Sequence, residues 1–195
     1  MKDLIVKPNA KQEEINAYVI LKEYLFKGKT TVIGDSFLSK LPDIYTEDKT
    51  IGVEVTSCEH ISQYLKENYK KKIEVKKEIG AIIKQYDALS LKDKNILFNE
   101  EFEKVLANKI KKIKHYTNCK SINLIIVSDN ENKNFIRRES LSKIYEKLVE
   151  KYKIKYDNLF LFYNDTLYID INFKFVKIKK YKQSEDENGN KEYCF

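Results

Sequence analysis

The spacing of hydrophobic residues predicts helices and strands that follow one another along the chain. Apolar residues three and four positions apart indicate a buried helical face, whereas short runs rich in valine, isoleucine and aromatic residues indicate strands. Residues 90–99 are polar and irregular in pattern, so no regular element is predicted there. The predicted helices cover residues 11–27, 59–86, 100–116 and 138–152, and the predicted strands cover 30–33, 41–45, 51–57, 122–127, 159–163 and 167–171.

The order of these elements predicts a mixed α/β domain. The continuous apolar run at 122–127 is typical of a strand covered on both faces of a sheet. The Asn-Asp pair at 164–165 predicts a hairpin between the last two strands, and residues 173–181 are expected to extend the sheet. Because no repeat or linker divides the chain, we expect a single domain over residues 1–183, followed by a polar tail or hairpin at 184–195.

The composition is typical of a soluble, highly charged globular protein. The 195 residues are 42% hydrophobic and 34% charged, which suffices for one domain with a hydrophobic core. No apolar run approaches the roughly 18 residues of a membrane span, and the first residues lack a signal-peptide core. Cys58, Cys119 and Cys194 are odd in number and widely spaced, as expected of reduced thiols. We therefore expect a cytoplasmic protein with no membrane partner.

The formal net charge of +7 favours a polyanionic partner, because counterions released from phosphate chains drive binding. The predicted helix at 59–86 carries a dense basic run with interleaved tyrosines. Its residues Lys66, Lys70 and Lys71 are the candidate nucleic-acid contacts, and a solvated helix face is the alternative interpretation. The two histidines lack zinc-site spacing, and there is no glycine-rich phosphate loop, so zinc and nucleotide-loop chemistries fit poorly.

Two acidic residues lie on neighbouring predicted strands. Asp43 follows Pro42 on one strand, and Glu54 lies inside the next strand, eleven positions later. Because side chains alternate between faces along a strand, the two carboxylates can face one point in space, where their mutual repulsion favours a shared cation. Two unrelated surface acids beside a turn are the alternative. In the first predicted helix, Glu14 borders the buried face, and Glu13 is the neighbouring candidate.

These residues and the order of elements carry a resemblance to a known family. Residues 11–127 resemble the core of the PD-(D/E)XK nuclease superfamily. The order of elements is a helix with Glu14, an antiparallel unit with Pro42-Asp43 and Glu54-Val55-Thr56, a further helix and a strand. The resemblance implies a restriction-endonuclease-like mixed sheet flanked by helices, here with a C-terminal β-hairpin extension. It also implies a magnesium-dependent endonuclease that hydrolyses phosphodiester bonds, in DNA more often than in RNA.

The resemblance also implies roles for individual residues. Asp43, Glu54 and the carbonyl of Val55 would hold Mg²⁺ or Mn²⁺, and Glu14 would complete or orient the site. This donor set agrees with the preference of Mg²⁺ for hard oxygen ligands. A bound ion of this kind lowers the pKa of water and stabilises charge that develops on the scissile phosphate.

The sequence departs from the family pattern at Thr56, where the family has a lysine. That position shares a strand face with the glutamate, and a lysine there would help orient the attacking water. Some family members supply the lysine from another element. Lys109 and Lys112, one above the other on the predicted helix before the buried strand, are the first candidates, and Lys66 and Lys70 come next.

Three functional hypotheses follow from these patterns. The first is a metal-dependent nuclease acting on DNA. If no lysine reaches the site, the same fold would serve as a catalytically weak or inactive module that binds nucleic acid or protein. An RNA-directed nuclease, such as a tRNA-cutting toxin, is the third hypothesis, because the residues themselves do not distinguish DNA from RNA. A homodimer is compatible with each of them.

Overall fold

The computed structural model describes residues 4–34, 40–58, 89–116, 118–128, 137–185 and 191–194. Within these ranges an eight-stranded mixed sheet is flanked by three α-helices, which confirms the predicted mixed α/β class. The helices are α1 (Gln12–Leu25), α2 (Leu91–Lys112) and α3 (Arg138–Tyr152), and a 3₁₀ turn (Ile113–His115) follows α2. The strands are β1 (Leu4–Val6), β2 (Thr31–Ile33), β3 (Ile44–Thr46), β4 (Ile51–Ser57), β5 (Ser121–Val127), β6 (Asn158–Tyr163), β7 (Thr166–Asp170), β8 (Phe175–Lys180), β9 (Lys182–Glu185) and β10 (Lys191–Cys194).

The first eight strands lie side by side in the order in which they occur along the chain. Strands β2, β3 and β4 pair antiparallel, as the sequence predicts, and β6, β7 and β8 do the same at the other side. Strands β4, β5 and β6 are parallel to each other in the centre of the sheet. The register places Glu54 beside Leu124. A separate antiparallel pair is formed by β9 and β10.

Helices cover both faces of this sheet. Helix α1 packs on one face, in a hydrophobic cluster that includes Val53, Val55 and Ile125. Helices α2 and α3 pack on the other face, in a cluster that includes Leu124 and Ile126. The alternation of strand β5 between the two clusters confirms that its apolar run is covered on both faces. Glu54 alternates with the two valines of β4, so its side chain faces α2.

The structure corrects the prediction for residues 90–99, of which 91–99 are helical. Helix α2 begins at Leu91, because the Ser90 side chain caps it by accepting a hydrogen bond from the Asp93 backbone N–H at 3.1 Å. The polar residues of its first turns also bond to each other, as Asn99 Nδ2 donates to Asn95 Oδ1 at 2.9 Å. Strand β1 was not predicted from sequence.

Two further predictions are confirmed at the C-terminal side of the sheet. Asn164 and Asp165 have φ angles of 51° and 56°, the left-handed conformation that a two-residue hairpin between β6 and β7 requires. Strand β8 extends the sheet. The predicted helix at 59–86, with its candidate nucleic-acid contacts Lys66, Lys70 and Lys71, lies outside the described residues. Among the described helices, none has the length and hydrophobicity needed to cross a membrane.

Candidate functional site

Asp43 lies where the pairing between β3 and β4 ends. The last paired residues of the two strands are Ile44 and Val53. Beyond this pair, Asp43 Oδ2 accepts a hydrogen bond from the Val55 backbone N–H at 2.8 Å. Pro42 packs against the backbone of Gly52, where an added Cβ would lie 2.5 Å from the proline Cγ. The glycine therefore permits the close approach that brings Asp43 to β4.

Glu54 is buried in the middle of β4, with only 2% of its surface exposed. A buried carboxylate needs hydrogen-bonding or charged partners, since transfer of an unpaired charge out of water is very costly. Its two oxygens have separate donors: Lys109 Nζ donates to Oε2, and the Tyr116 hydroxyl donates to Oε1. Both donors come from the end of α2 and the 3₁₀ turn after it. Asp43 and Glu54 are therefore not unrelated surface acids.

The Lys109 ammonium group lies at the centre of the site. Besides Glu54 Oε2, Nζ contacts the Val55 carbonyl oxygen at 3.0 Å and Asp43 Oδ2 at 3.5 Å. We refer to these three oxygens, from Asp43, Glu54 and Val55, as the three-oxygen cluster. Its members are the same groups to which the family resemblance assigns a metal ion, and the ammonium at their centre belongs to one of the two lysines proposed first from sequence.

The surrounding charges keep both donors protonated. Burial lowers the pKa of the Lys109 ammonium, but the charges of Glu54 and Asp43 outweigh this effect, and the pKa lies above its ordinary value. Burial raises the pKa of the Tyr116 hydroxyl, and the neighbouring Glu54 charge raises it further. Lys109 therefore carries a positive charge, and Tyr116 remains a hydrogen-bond donor.

Two more tyrosines hold the end of α2 in place. The Tyr156 hydroxyl donates to the Lys109 backbone carbonyl at 2.9 Å, and the Tyr156 backbone N–H donates to the Tyr145 hydroxyl at 3.0 Å. Burial raises the pKa of Tyr145 to about 12. No sequence pattern assigned a functional role to these tyrosines or to Tyr116. Tyr116 had a usable signal, because it follows Lys109 by seven positions, which is two helical turns.

Glu14 lies close to this site without joining it. It is 3% exposed and belongs to α1, which packs on the face of the sheet opposite to the Glu54 side chain. Its Oε2 accepts the Lys11 backbone N–H at 3.1 Å, which caps the helix. Burial raises the pKa of Glu14, and the nearby Asp43 charge adds to this increase.

The two remaining candidates are placed differently. Thr56 is buried on the same strand face as Glu54, and its Oγ1 has no hydrogen-bond partner among the described residues. Lys112 is exposed on α2, and the ion pairs of the described site involve Lys109 instead. The structure thus brings together Asp43, Glu54, Val55 and Lys109, with Thr56 beside them.

The oxygen donors of Asp43, Glu54 and Val55 suit the magnesium ion that the resemblance implies. Within the described ranges, no three His, Cys, Asp or Glu side chains group as a metal site. Two carboxylates and a carbonyl nevertheless match the hard oxygen ligands of Mg²⁺, which usually keeps several waters and takes one or two carboxylates from the protein. The residues therefore fit the ion, on the condition that the Lys109 ammonium withdraws from the centre of the three-oxygen cluster.

The fold and the site define a mixed α/β protein with a buried carboxylate–lysine cluster on its central sheet. Comparisons of the chain with protein-family models, with curated proteins and with solved structures found no match.

Proposed function

We propose that this protein is a metal-dependent nuclease that hydrolyses phosphodiester bonds, with DNA as the favoured substrate. The observation that carries the proposal is the convergence of Asp43 Oδ2, Glu54 Oε2 and the Val55 carbonyl on the Lys109 ammonium. Two carboxylates, a carbonyl and a lysine gathered at one place on the sheet can provide both cation binding and charge neutralisation at a phosphate.

The residues of the site would have separate roles in cation binding and in contacting the substrate. Asp43, Glu54 and the Val55 carbonyl would hold Mg²⁺ or Mn²⁺, which when bound lowers the pKa of water and neutralises charge on the phosphate. Lys109, on withdrawing from the three-oxygen cluster, would remain close enough to contact the substrate phosphate or orient the attacking water. It would thereby supply from α2 the positive charge that Thr56 lacks.

Charge supports a nucleic-acid substrate. The net charge of +7 favours binding to a polyanion, and this binding should weaken as salt increases. The preference for DNA over RNA comes from the family resemblance alone. The candidate contacts Lys66, Lys70 and Lys71 keep their status as sequence predictions.

One observation favours the second hypothesis, a binding module without catalysis. Lys109 already contacts every member of the three-oxygen cluster, so its ammonium already occupies the place of a cation and offsets one of the two negative charges. If the ammonium stays there permanently, no metal ion enters. The protein would then bind nucleic acid in a salt-sensitive manner and cut none.

The test is cleavage of supercoiled plasmid and of an RNA of matched length with Mg²⁺, with Mn²⁺ and with EDTA. Nicking should require the metal and should fall by at least about 100-fold in Asp43→Asn, Glu54→Gln and Lys109→Met. Asp43→Asn keeps an acceptor for the Val55 backbone N–H, so its fold should be preserved. The control is Glu103→Gln, which alters an exposed ion pair with Lys147 and should cut like the parent.

The outcomes separate the hypotheses. Folded site variants that cut as fast as the parent would show that the nuclease assignment is wrong. Salt-sensitive binding without cleavage under either metal would favour the binding module. Cleavage of the RNA alone would favour the RNA-directed nuclease.

A further inference from the structure

Tyr116 contacts the one oxygen of Glu54 that the three-oxygen cluster does not use. Its buried hydroxyl donates to Oε1, while Oε2 of the same carboxylate accepts from Lys109. A carboxylate has four lone-pair positions and turns about its last side-chain bond through a broad, two-fold energy profile. A donor on one oxygen therefore decides where the other oxygen points.

The backbone explains how one segment supplies both donors. At the end of α2 the Ile113 N–H donates to Ile110, three residues back, and the chain tightens into the 3₁₀ turn. The Tyr116 N–H in turn donates to the Ile113 carbonyl at 3.1 Å. The carbonyl of Lys109 accepts the Tyr156 hydroxyl instead, which connects this helix end to the segment just before β6. Lys109 and Tyr116 are thus held by the same hydrogen-bonded segment at the end of α2.

We propose that Tyr116 is a positioning residue that holds Glu54 Oε2 in the three-oxygen cluster and restricts Glu54 to one oxygen toward a bound cation. This inference rests on the proposed function and deepens it. With Oε1 held by Tyr116, Glu54 contributes a single ligand, so coordination positions remain for water and for substrate phosphate. Without the hydroxyl, the Glu54 carboxylate is able to rotate, so a cation would have to fix its orientation on binding and would therefore bind more weakly.

The test is Tyr116→Phe, which removes the hydroxyl and keeps the ring. Mn²⁺ binding, followed by calorimetry on the complete chain, should weaken about 10-fold or more, as is typical when a partner of a metal ligand is removed. The Mn²⁺ concentration for half-maximal plasmid nicking should rise by the same factor, while kcat at saturating Mn²⁺ should change by less than about 3-fold.

The matched control is Tyr181→Phe. Tyr181 is also buried, but its hydroxyl donates to the Ile20 carbonyl at 2.6 Å, on the α1 face of the sheet. In urea unfolding, Tyr181→Phe should lose about as much stability as Tyr116→Phe, and it should bind Mn²⁺ like the parent. This comparison separates positioning of Glu54 from a general loss of packing.

The outcomes distinguish this inference from the proposed function. If the parent binds Mn²⁺ and cuts DNA, but Tyr116→Phe binds Mn²⁺ equally well, only the role of Tyr116 is refuted. If Tyr116→Phe loses activity equally at every Mn²⁺ concentration, a positioning role toward the cation is refuted as well. If the parent neither binds Mn²⁺ nor cuts nucleic acid, the proposed function and this inference both fail.

Discussion

Lys109 on α2 donates a hydrogen bond to Glu54 on β4, although the two residues are 55 positions apart in the sequence. Glu54 is almost fully buried, and the Lys109 side chain is 19% exposed. An ion pair of this kind is weak evidence for stability, because both charges lose their hydration when they are buried. Together with Asp43, it is better understood as a preformed arrangement of charges, held in place by neighbouring tyrosines.

Removing the ammonium should destabilise the fold, because two carboxylates are left without a cation. Lys109→Met keeps the length of the side chain and should lower the free energy of unfolding by about 3 kcal/mol. This value is at the lower end of the range for a broken buried ion pair, because Lys109 is partly exposed. The measurement is urea unfolding at neutral pH. The matched control, Lys147→Met, breaks an exposed pair with Glu103 and should cost less than about 1 kcal/mol. Equal losses in the two variants would contradict this account.

A divalent ion should restore stability to Lys109→Met. If Mn²⁺ enters the three-oxygen cluster in place of the ammonium, binding to the folded state adds about 2.7 kcal/mol at a concentration 100 times its Kd. The same unfolding measurement, repeated with and without Mn²⁺, should show a larger gain in the variant than in the parent, because the ammonium no longer competes. Absence of any gain in the variant would show that the cluster does not accept the ion.

Thr56→Val should stabilise the protein, because it removes a buried hydroxyl that lacks a partner among the described residues. Valine has nearly the same shape and suits a strand, so we expect a gain of about 1 kcal/mol in urea unfolding. The matched control is Thr46→Val on β3. The Thr46 hydroxyl accepts the Thr50 and Ile51 backbone N–H groups at 3.1 and 3.0 Å, so its loss should cost about 1–2 kcal/mol. A loss of stability in both variants would contradict the prediction.

Glu14→Gln should stabilise the protein at neutral pH and not in acid. Burial raises the pKa of this carboxyl in the folded state, so its ionised form opposes folding above that pKa. The penalty disappears as the pH falls through the folded pKa toward the unfolded value of about 4.3, and the gain from glutamine should vanish over the same window. The amide keeps an acceptor for the Lys11 N–H. Urea unfolding at several pH values measures the effect, and a gain of the same size in Glu13→Gln would argue against burial as its cause.

Gly52→Ala should weaken Mn²⁺ binding in addition to destabilising the fold. The added Cβ would lie 2.5 Å from Pro42 Cγ and 3.1 Å from both Cys119 Sγ and Ile122 Cδ1, so the proline that precedes Asp43 must shift. Overpacking of this kind costs about 1–3 kcal/mol, and Mn²⁺ binding should weaken because Asp43 moves. In the control Gly28→Ala, the strain comes from a φ angle of 69° after α1. Mn²⁺ binding there should stay at the parent level, and equal weakening in both variants would refute the role of Pro42.

The sequence was sufficient for most of the fold and for the pairing of the two acidic strands. Helix α1 follows from the helical spacing of its apolar residues, and the strands from β2 to β7 follow from short runs of β-branched and aromatic residues. Asp43 could be placed beside the Glu54 strand since a short turn leaves the chain few ways to separate them, although the strand predicted at 41–45 begins at Ile44, directly after Asp43. The start of α2 was missed because its first turns are polar, and they are held by the Ser90 cap and by side-chain hydrogen bonds.

The identity of the cation partner was decided by the tertiary structure. Lys109 and Lys112 are three positions apart on one helix, so the sequence alone leaves both as candidates. The packing of α2 on the sheet directs Lys109 toward Glu54 and leaves Lys112 in solvent, and the 3₁₀ turn brings Tyr116 to the other carboxylate oxygen. Local patterns thus determined which residues share a strand or a helix face. The contacts between α2 and β4 depend on how segments far apart in the sequence pack together, and no local pattern in the chain encodes this packing.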